Sequence, residues 1–161
     1  MKRALSALFI LAIVTAVAQA SILYPPGGYS FDTAKDDIPP QLKNTKLGEA
    51  VYSKAPAGYY IVQFRGPVRE SDKDELKARG AVIIGYLHQY AFIVKTSAKS
   101  AAGCKGLPAV EWLGSFLPAY KLSPSIGKVL FTFPDRLADG KLWLSCYLWP
   151  GESVESVQQQ L

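Results

Sequence analysis

The sequence is poor in the residues that build metal centres and nucleophilic active sites. It offers two cysteines, Cys104 and Cys146, and a single histidine, His88. No zinc cluster can be drawn from three such scattered ligands. A Ser-His-Asp triad needs a histidine to shuttle the proton, and His88 falls in a four-residue connection, Leu87 to Tyr90, where a solvated turn residue is expected. There is no Lys/Arg run either. The formal charge of +5 includes Lys2 and Arg3 and is too mild and too dispersed to grip a phosphate backbone, so nucleic acid is not an expected partner. Gly27, Gly28 and Gly58 lack the spacing of a phosphate loop. The carboxylates Asp72, Asp74 and Glu75 splay over different faces of a helix, and Asp36–Asp37 is an isolated pair. No cofactor, metal or catalytic residue is expected. After residue 20 no apolar run approaches the ~20 residues that cross a bilayer.

What is present begins with an address. Lys2 and Arg3 precede an almost unbroken apolar run, Ala4 to Val17, and Ala18-Gln19-Ala20 has a small-x-small pattern. These are the three parts of a secretory signal peptide, too short to serve as a membrane anchor, so a secreted or periplasmic chain beginning near Ser21 is expected. Residues 21–58 are punctuated by Pro25-Pro26-Gly27-Gly28, Pro39-Pro40, Pro56 and Gly58. That composition sustains neither a helix nor a central strand; only Pro40 to Glu49 has a weak helical look. An extended arm laid on the following domain, or a flexible lead, is expected, and no PxxP spacing marks it as a ligand for a recognition domain.

The rest of the chain is organised around Tyr59 to Pro124. With 49% hydrophobic and 19% charged residues overall the chain can build a packed core. Strand periodicity covers Tyr59–Arg65, Ala81–Tyr86, Ala91–Thr96 and Val110–Phe116, with helical segments at Arg69–Arg79 and Ala98–Lys105. The first helix carries its acids in its first half, as the helix dipole favours, and Gly80 stops it. Its apolar face is thin, because Asp72 and Arg79 stand where apolar residues belong. Ser97 caps the second helix and Pro108 ends it. The order βαββαβ predicts an α+β fold, an antiparallel sheet with both helices on one face. The other face is expected to be open and to serve partner binding through Tyr59, Ile61, Gln63, Arg65, Glu111 and Leu113. Tyr59, Tyr60 and Phe64 suggest a base-stacking platform, but the aromatic-glycine strand motif of such domains is absent. Cys104 and Cys146 occupy apolar positions and are expected to be buried thiols rather than a bridge.

Residues 125–161 read as the opening of a second unit. Lys128–Phe133 and Lys141–Trp149 have strand character, and Pro150-Gly151 is followed by an amphipathic helix start over Glu152–Leu161. The pattern echoes Phe64 to Leu76. The run Leu142–Trp149 would be an exposed, uncharged β-prone strand that needs pairing, which a dimer through that strand would supply.

Three stretches carry a likeness to a known family: FRGPV at Phe64–Val68, GYLHQYAFIVK at Gly85–Lys95, and LPAVEWLGSFLPAYKLSP at Leu107–Pro124. Together they resemble the N-terminal inhibitor-type prosegment of secreted bacterial subtilisin-like serine proteases. The resemblance covers 59–124 without a gap and extends to 141–161 as the start of a further prosegment module. It implies a ferredoxin-like fold, a sheet that docks on the protease catalytic domain in cis or in trans, and a role as intramolecular chaperone and inhibitor. No catalytic domain accompanies the prosegment in this sequence, since no Ser sits in the Gly-Thr-Ser context such proteases use. Asp72 stands where the resembling domains carry an apolar or aromatic residue, Arg79 where they carry Leu, and Cys104 replaces a larger aliphatic. The alternatives are a stand-alone secreted subtilase inhibitor or protein-binding module, and a truncated product without function.

Overall fold

The computed structural model of the chain describes residues 21–49, 57–128 and 144–159. Residues 1–20, with the expected signal peptide, lie outside the described residues, as do all but the first residue of the expected strand Lys128–Phe133. The centre is a four-stranded antiparallel sheet of β3 (Gly58–Phe64), β4 (Val82–Leu87), β5 (Ala91–Thr96) and β6 (Val110–Ser115), in the order β4-β5-β3-β6. β3 is rich in aromatic and β-branched residues, which suit a pleated surface. It lies between β5 and β6, and all seven of its residues are buried. β4 and β5 are joined by His88, Gln89 and Tyr90, of which Gln89 and Tyr90 have positive φ. The Phe64 amide donates to the Tyr90 carbonyl at 3.0 Å, which helps hold that turn.

Two helices cover one face. α1 (Glu70–Ala78) and α2 (Ala98–Lys105) enclose a core of Tyr60, Val62, Phe64, Leu76, Phe92, Val94, Ala101 and Cys104. The polar residues that thin α1 have partners. The Asp72 carboxylate, at the third position of the helix, accepts the Arg69 backbone N–H at 2.9 Å and a further bond from the Arg69 guanidinium at 2.9 Å. It thereby satisfies a helix-start donor from below. The Arg69 side chain and then its backbone N–H hold the Asp72 carboxyl below its ordinary value. Arg79 donates to the Gly103 carbonyl at 2.6 Å, tying α1 to α2. An apolar contact is thus replaced by a hydrogen bond between the helices.

The opposite face is not open. Residues 21–49 lie across it as a third layer, containing a short two-stranded ladder of β1 (Ile22–Leu23) and β2 (Phe31–Asp32) and two 3₁₀ turns, Pro40–Leu42 and Lys46–Gly48. Leu23, Phe31 and Leu42 pack with Tyr59, Ile61, Ala91, Ile93, Trp112, Phe116 and Tyr120. The arm is therefore laid against the domain, and the expectation of a free sheet face is corrected. The phase of β6 is corrected too. Gln63 pairs with Trp112 and Phe64 with Val110, so Glu111 is an extra residue in a β-bulge. The bulge puts Val110 with the helix-side core and Trp112 with the arm-side core, although they are two positions apart, the spacing that normally keeps strand residues on one face. Leu113 turns to the helix side, half-buried. Gly114 is required there, because a Cβ would stand 2.3 Å from the Trp112 ring.

Residues 144–149 are described but form no strand. Pro150 and Gly151 make a turn, closed by the Glu152 amide donating to the Trp149 carbonyl at 3.1 Å. α3 (Val154–Gln158) follows, capped by the Ser153 hydroxyl. The expected Lys141–Trp149 strand is thus absent over its described part. Without a neighbouring strand among the described residues, its β-prone sequence has nothing to pair with. Cys146 is exposed, not buried, while Cys104 is buried; both are free thiols. Among the described residues no helix is long and apolar enough to cross a membrane.

Candidate docking groove

Six residues were expected to form a partner-binding face, and the structure gives each an intramolecular environment. Tyr59, Ile61 and Gln63 are buried beneath the arm, at 8%, 0% and 1% exposure. The Gln63 amide bridges two layers. Its oxygen lies 2.8 Å from the Thr33 hydroxyl of the arm, and its nitrogen donates to the Gln89 carbonyl at 3.3 Å in the β4–β5 turn. Arg65 and Glu111 form an ion pair at 2.7 Å beside the bulge, and Arg65 also donates to the Pro108 carbonyl at 3.1 Å. Leu113 is on the other side of the sheet. The six are therefore not one surface, because the arm covers three, two neutralise each other and the bulge redirects the last.

One of them, Tyr59, also forms a wall of a groove that the sequence did not disclose. Tyr59 and Lys95 are directly opposed residues of β3 and β5, so their side chains leave the same face. The Lys95 ammonium lies 5.6 Å from the centre of the Tyr59 ring. Phe116, at the end of β6, contributes a third wall, edge-on to Tyr120 at 5.6 Å. Burial, with Tyr29 nearby, raises the Tyr120 phenol above its ordinary value, so it stays protonated.

Into this corner comes the turn after residue 148. Trp149 stacks on Tyr59 with ring centres 5.8 Å apart and meets Phe116 edge-on at 5.9 Å. One oxygen of the Glu152 carboxylate accepts from Lys95 Nζ at 2.7 Å and also from the Tyr59 hydroxyl. Those two hydrogen bonds, Lys95's first, hold the Glu152 carboxyl below its ordinary value of 4.5. Between the segment and the body a cavity of about 570 Å³ remains unfilled, walled by Pro26, Tyr59, Phe116, Tyr120 and residues 147–149.

Lys95 and Glu152 were missed as site residues, yet both left a signal. Ala91 and Ile93 precede Lys95 at strand spacing on the arm-side face, and a lone cation ending an apolar row needs an anion. The sequence Trp149-Pro150-Gly151-Glu152 carries an aromatic and an acid across a turn. Nothing in the spacing alone says that they meet β3 and β5.

A family model described as a domain of unknown function, DUF8729, matches residues 27–117. The chain belongs to the DUF8729 family. The match starts inside the arm and ends just past β6, so this DUF8729 domain includes the layer built by Phe31 and Leu42 as well as the βαββαβ unit. No curated protein and no solved structure matches the chain. Among the described residues no group of three or more His, Cys, Asp or Glu side chains is placed to hold a metal ion.

Proposed function

We propose that this DUF8729 chain is a non-catalytic, exported prosegment module that folds, restrains and inhibits a subtilisin-like serine protease domain. The observation that carries the reading is the arrangement of residues 58–115. Four antiparallel strands in the order β4-β5-β3-β6, with α1 and α2 on one face, agree with the ferredoxin-like fold that the resemblance implies. The three resembling stretches fall on the end of β3, the β4–β5 hairpin, and β6 with the Pro118–Lys121 turn after it. The export signal at residues 2–20 is consistent with a protease matured outside the cytoplasm.

A second reading, a secreted binding module acting by itself, is favoured by one feature. Residues 21–49 close the sheet face that a prosegment of the resembling kind offers to its enzyme. Under the first reading the protease must therefore meet another surface, or displace the arm. The exposed edge strand β4, with Val82 and Tyr86 59% and 60% exposed, is available for such contact.

The test is inhibition and refolding in trans. Purified residues 21–161 should slow peptide hydrolysis by subtilisin-like proteases and raise the refolding yield of an acid-denatured subtilisin-like catalytic domain. Trypsin-like and papain-like enzymes should be unaffected. Absence of any effect on several subtilisin-like domains would overturn the prosegment reading and leave the binding module.

A further inference from the structure

The Trp149–Glu152 contact resembles a ligand in a site more than the closure of a core. The described part of the segment is anchored at few points. Leu144 is 59% exposed and Tyr147 94% exposed, while Trp149 and Glu152 make the ring contacts and the carboxylate hydrogen bonds. The body supplies the complementary parts from three separate elements: the Tyr59 ring and hydroxyl from β3, the Lys95 ammonium from β5, and the Phe116 ring that follows β6. Two donors converge on one carboxylate oxygen, a geometry selective for an acid. Two aromatic rings at stacked and edge-on angles are selective for a planar side chain. The unfilled cavity of about 570 Å³ beside the turn leaves room for more ligand than the chain itself provides.

We propose that this groove is a peptide-recognition site for segments carrying an aromatic residue and, three positions later across a turn, a carboxylate, and that residues 149–152 occupy it in cis. Its natural occupant in trans is a protein loop of the same aromatic–turn–acid chemistry, and the chain's own segment acts as a displaceable plug. Being part of the same chain, the plug acts intramolecularly, at an effective concentration rather than a bulk one. A competing loop must therefore bind better, or the plug must be loosened first. Peptide binding is read without any protease, so this proposal and the prosegment reading can fail separately.

The probe is a fluorescent synthetic peptide of residues 147–158. It should bind the W149A/E152Q chain at least tenfold more tightly than the wild-type chain, whose groove is filled. Adding Lys95→Met to that chain should lower affinity at least tenfold, and a peptide with Gln in place of the acid should lose the same factor. A second measurement uses the unaltered chain. Excess peptide should speed amide exchange at residues 152–158 while leaving β3 and β5 protected. Equal binding to all chains, or no binding together with unchanged exchange, would show that the segment is ordinary packing and would overturn the proposal.

Discussion

The two faces of one sheet are closed by unlike means. On the helix side, α1 and α2 bring Leu76, Ala101 and Cys104 against Tyr60, Val62 and Phe64. On the arm side, Tyr59, Ile61 and Gln63 meet a segment with two residue pairs of β-ladder and two single 3₁₀ turns. Yet the burial is equally complete: Leu76 on one side and Leu23 on the other are both 0% exposed. The arm replaces periodic structure with local ties. Thr45 caps the turn at Lys46–Gly48 by accepting the Gly48 amide at 3.1 Å, and the Asp32 carboxylate accepts the Ala34 amide at 3.0 Å. Its prolines already restrict the unfolded chain, so less entropy is lost on docking. A sheet face therefore needs no helix or strand pattern over it to become core.

One substitution on each face tests whether the two are equally part of the core. Leu76→Ala and Leu23→Ala remove the same atoms from equally buried sites, and each should cost about 2–5 kcal/mol in chemical denaturation. A cost under about 1 kcal/mol for Leu23→Ala alone would make the arm a loose cover rather than a layer of the core. A smaller effect is expected at Gln63, the buried amide that joins the arm to the β4–β5 turn. Gln63→Leu keeps most of the volume but leaves the Gln89 carbonyl and the Thr33 hydroxyl without it, at a cost of about 1–3 kcal/mol. The same change should raise amide exchange in the arm more than in α1 or α2. Equal loosening on both sides would remove Gln63 as an arm-specific tie.

The helix-side architecture was legible in the sequence because it is periodic. Ala91–Thr96 and Ala98–Lys105 coincide with β5 and α2, and β3, β4 and β6 differ from their expected ranges by one residue at one or both ends. An arm laid on the domain was one of the two expectations for residues 21–58, and the structure shows it for residues 21–49; its contacts were not legible, because Leu23, Phe31 and Leu42 are spaced irregularly among prolines and glycines. A signal did exist on the partner. Tyr59 to Val62 is apolar at every position, which is how a strand buried on both faces reads. The phase of β6 failed for a different reason. One inserted residue, Glu111, exchanges the faces of Trp112 and Leu113, and a bulge carries no mark in a strand of this length. The groove at Tyr59 and Lys95 depends on a residue pair 57 positions apart, Lys95 and Glu152, and no local pattern encodes such a pairing.

The smallest effect expected concerns how the segment at 149–152 differs from both faces. Its hold includes a partly exposed ion pair, and such pairs contribute little, about 0–1 kcal/mol, whereas the two faces rest chiefly on apolar burial. The Glu152 carboxyl titrates below its ordinary value because Lys95 and Tyr59 donate to it, with Lys121 adding a favourable charge. A carboxyl whose value is depressed on docking contributes its stabilisation fully above the ordinary value of 4.5 and loses it as the pH falls through the depressed one. Glu152 is the carboxylate of this contact, facing the Lys95 ammonium, the Tyr59 hydroxyl and Lys121. Acidification from pH 6 should therefore speed amide exchange at residues 152–158, after correction for intrinsic rates, while β3 and β5 stay protected. Glu152→Gln should flatten that dependence and leave the segment as loose at pH 6 as the acidified wild type. A dependence that survives Glu152→Gln would mean that the segment is held by something other than the carboxylate between Lys95 and Tyr59.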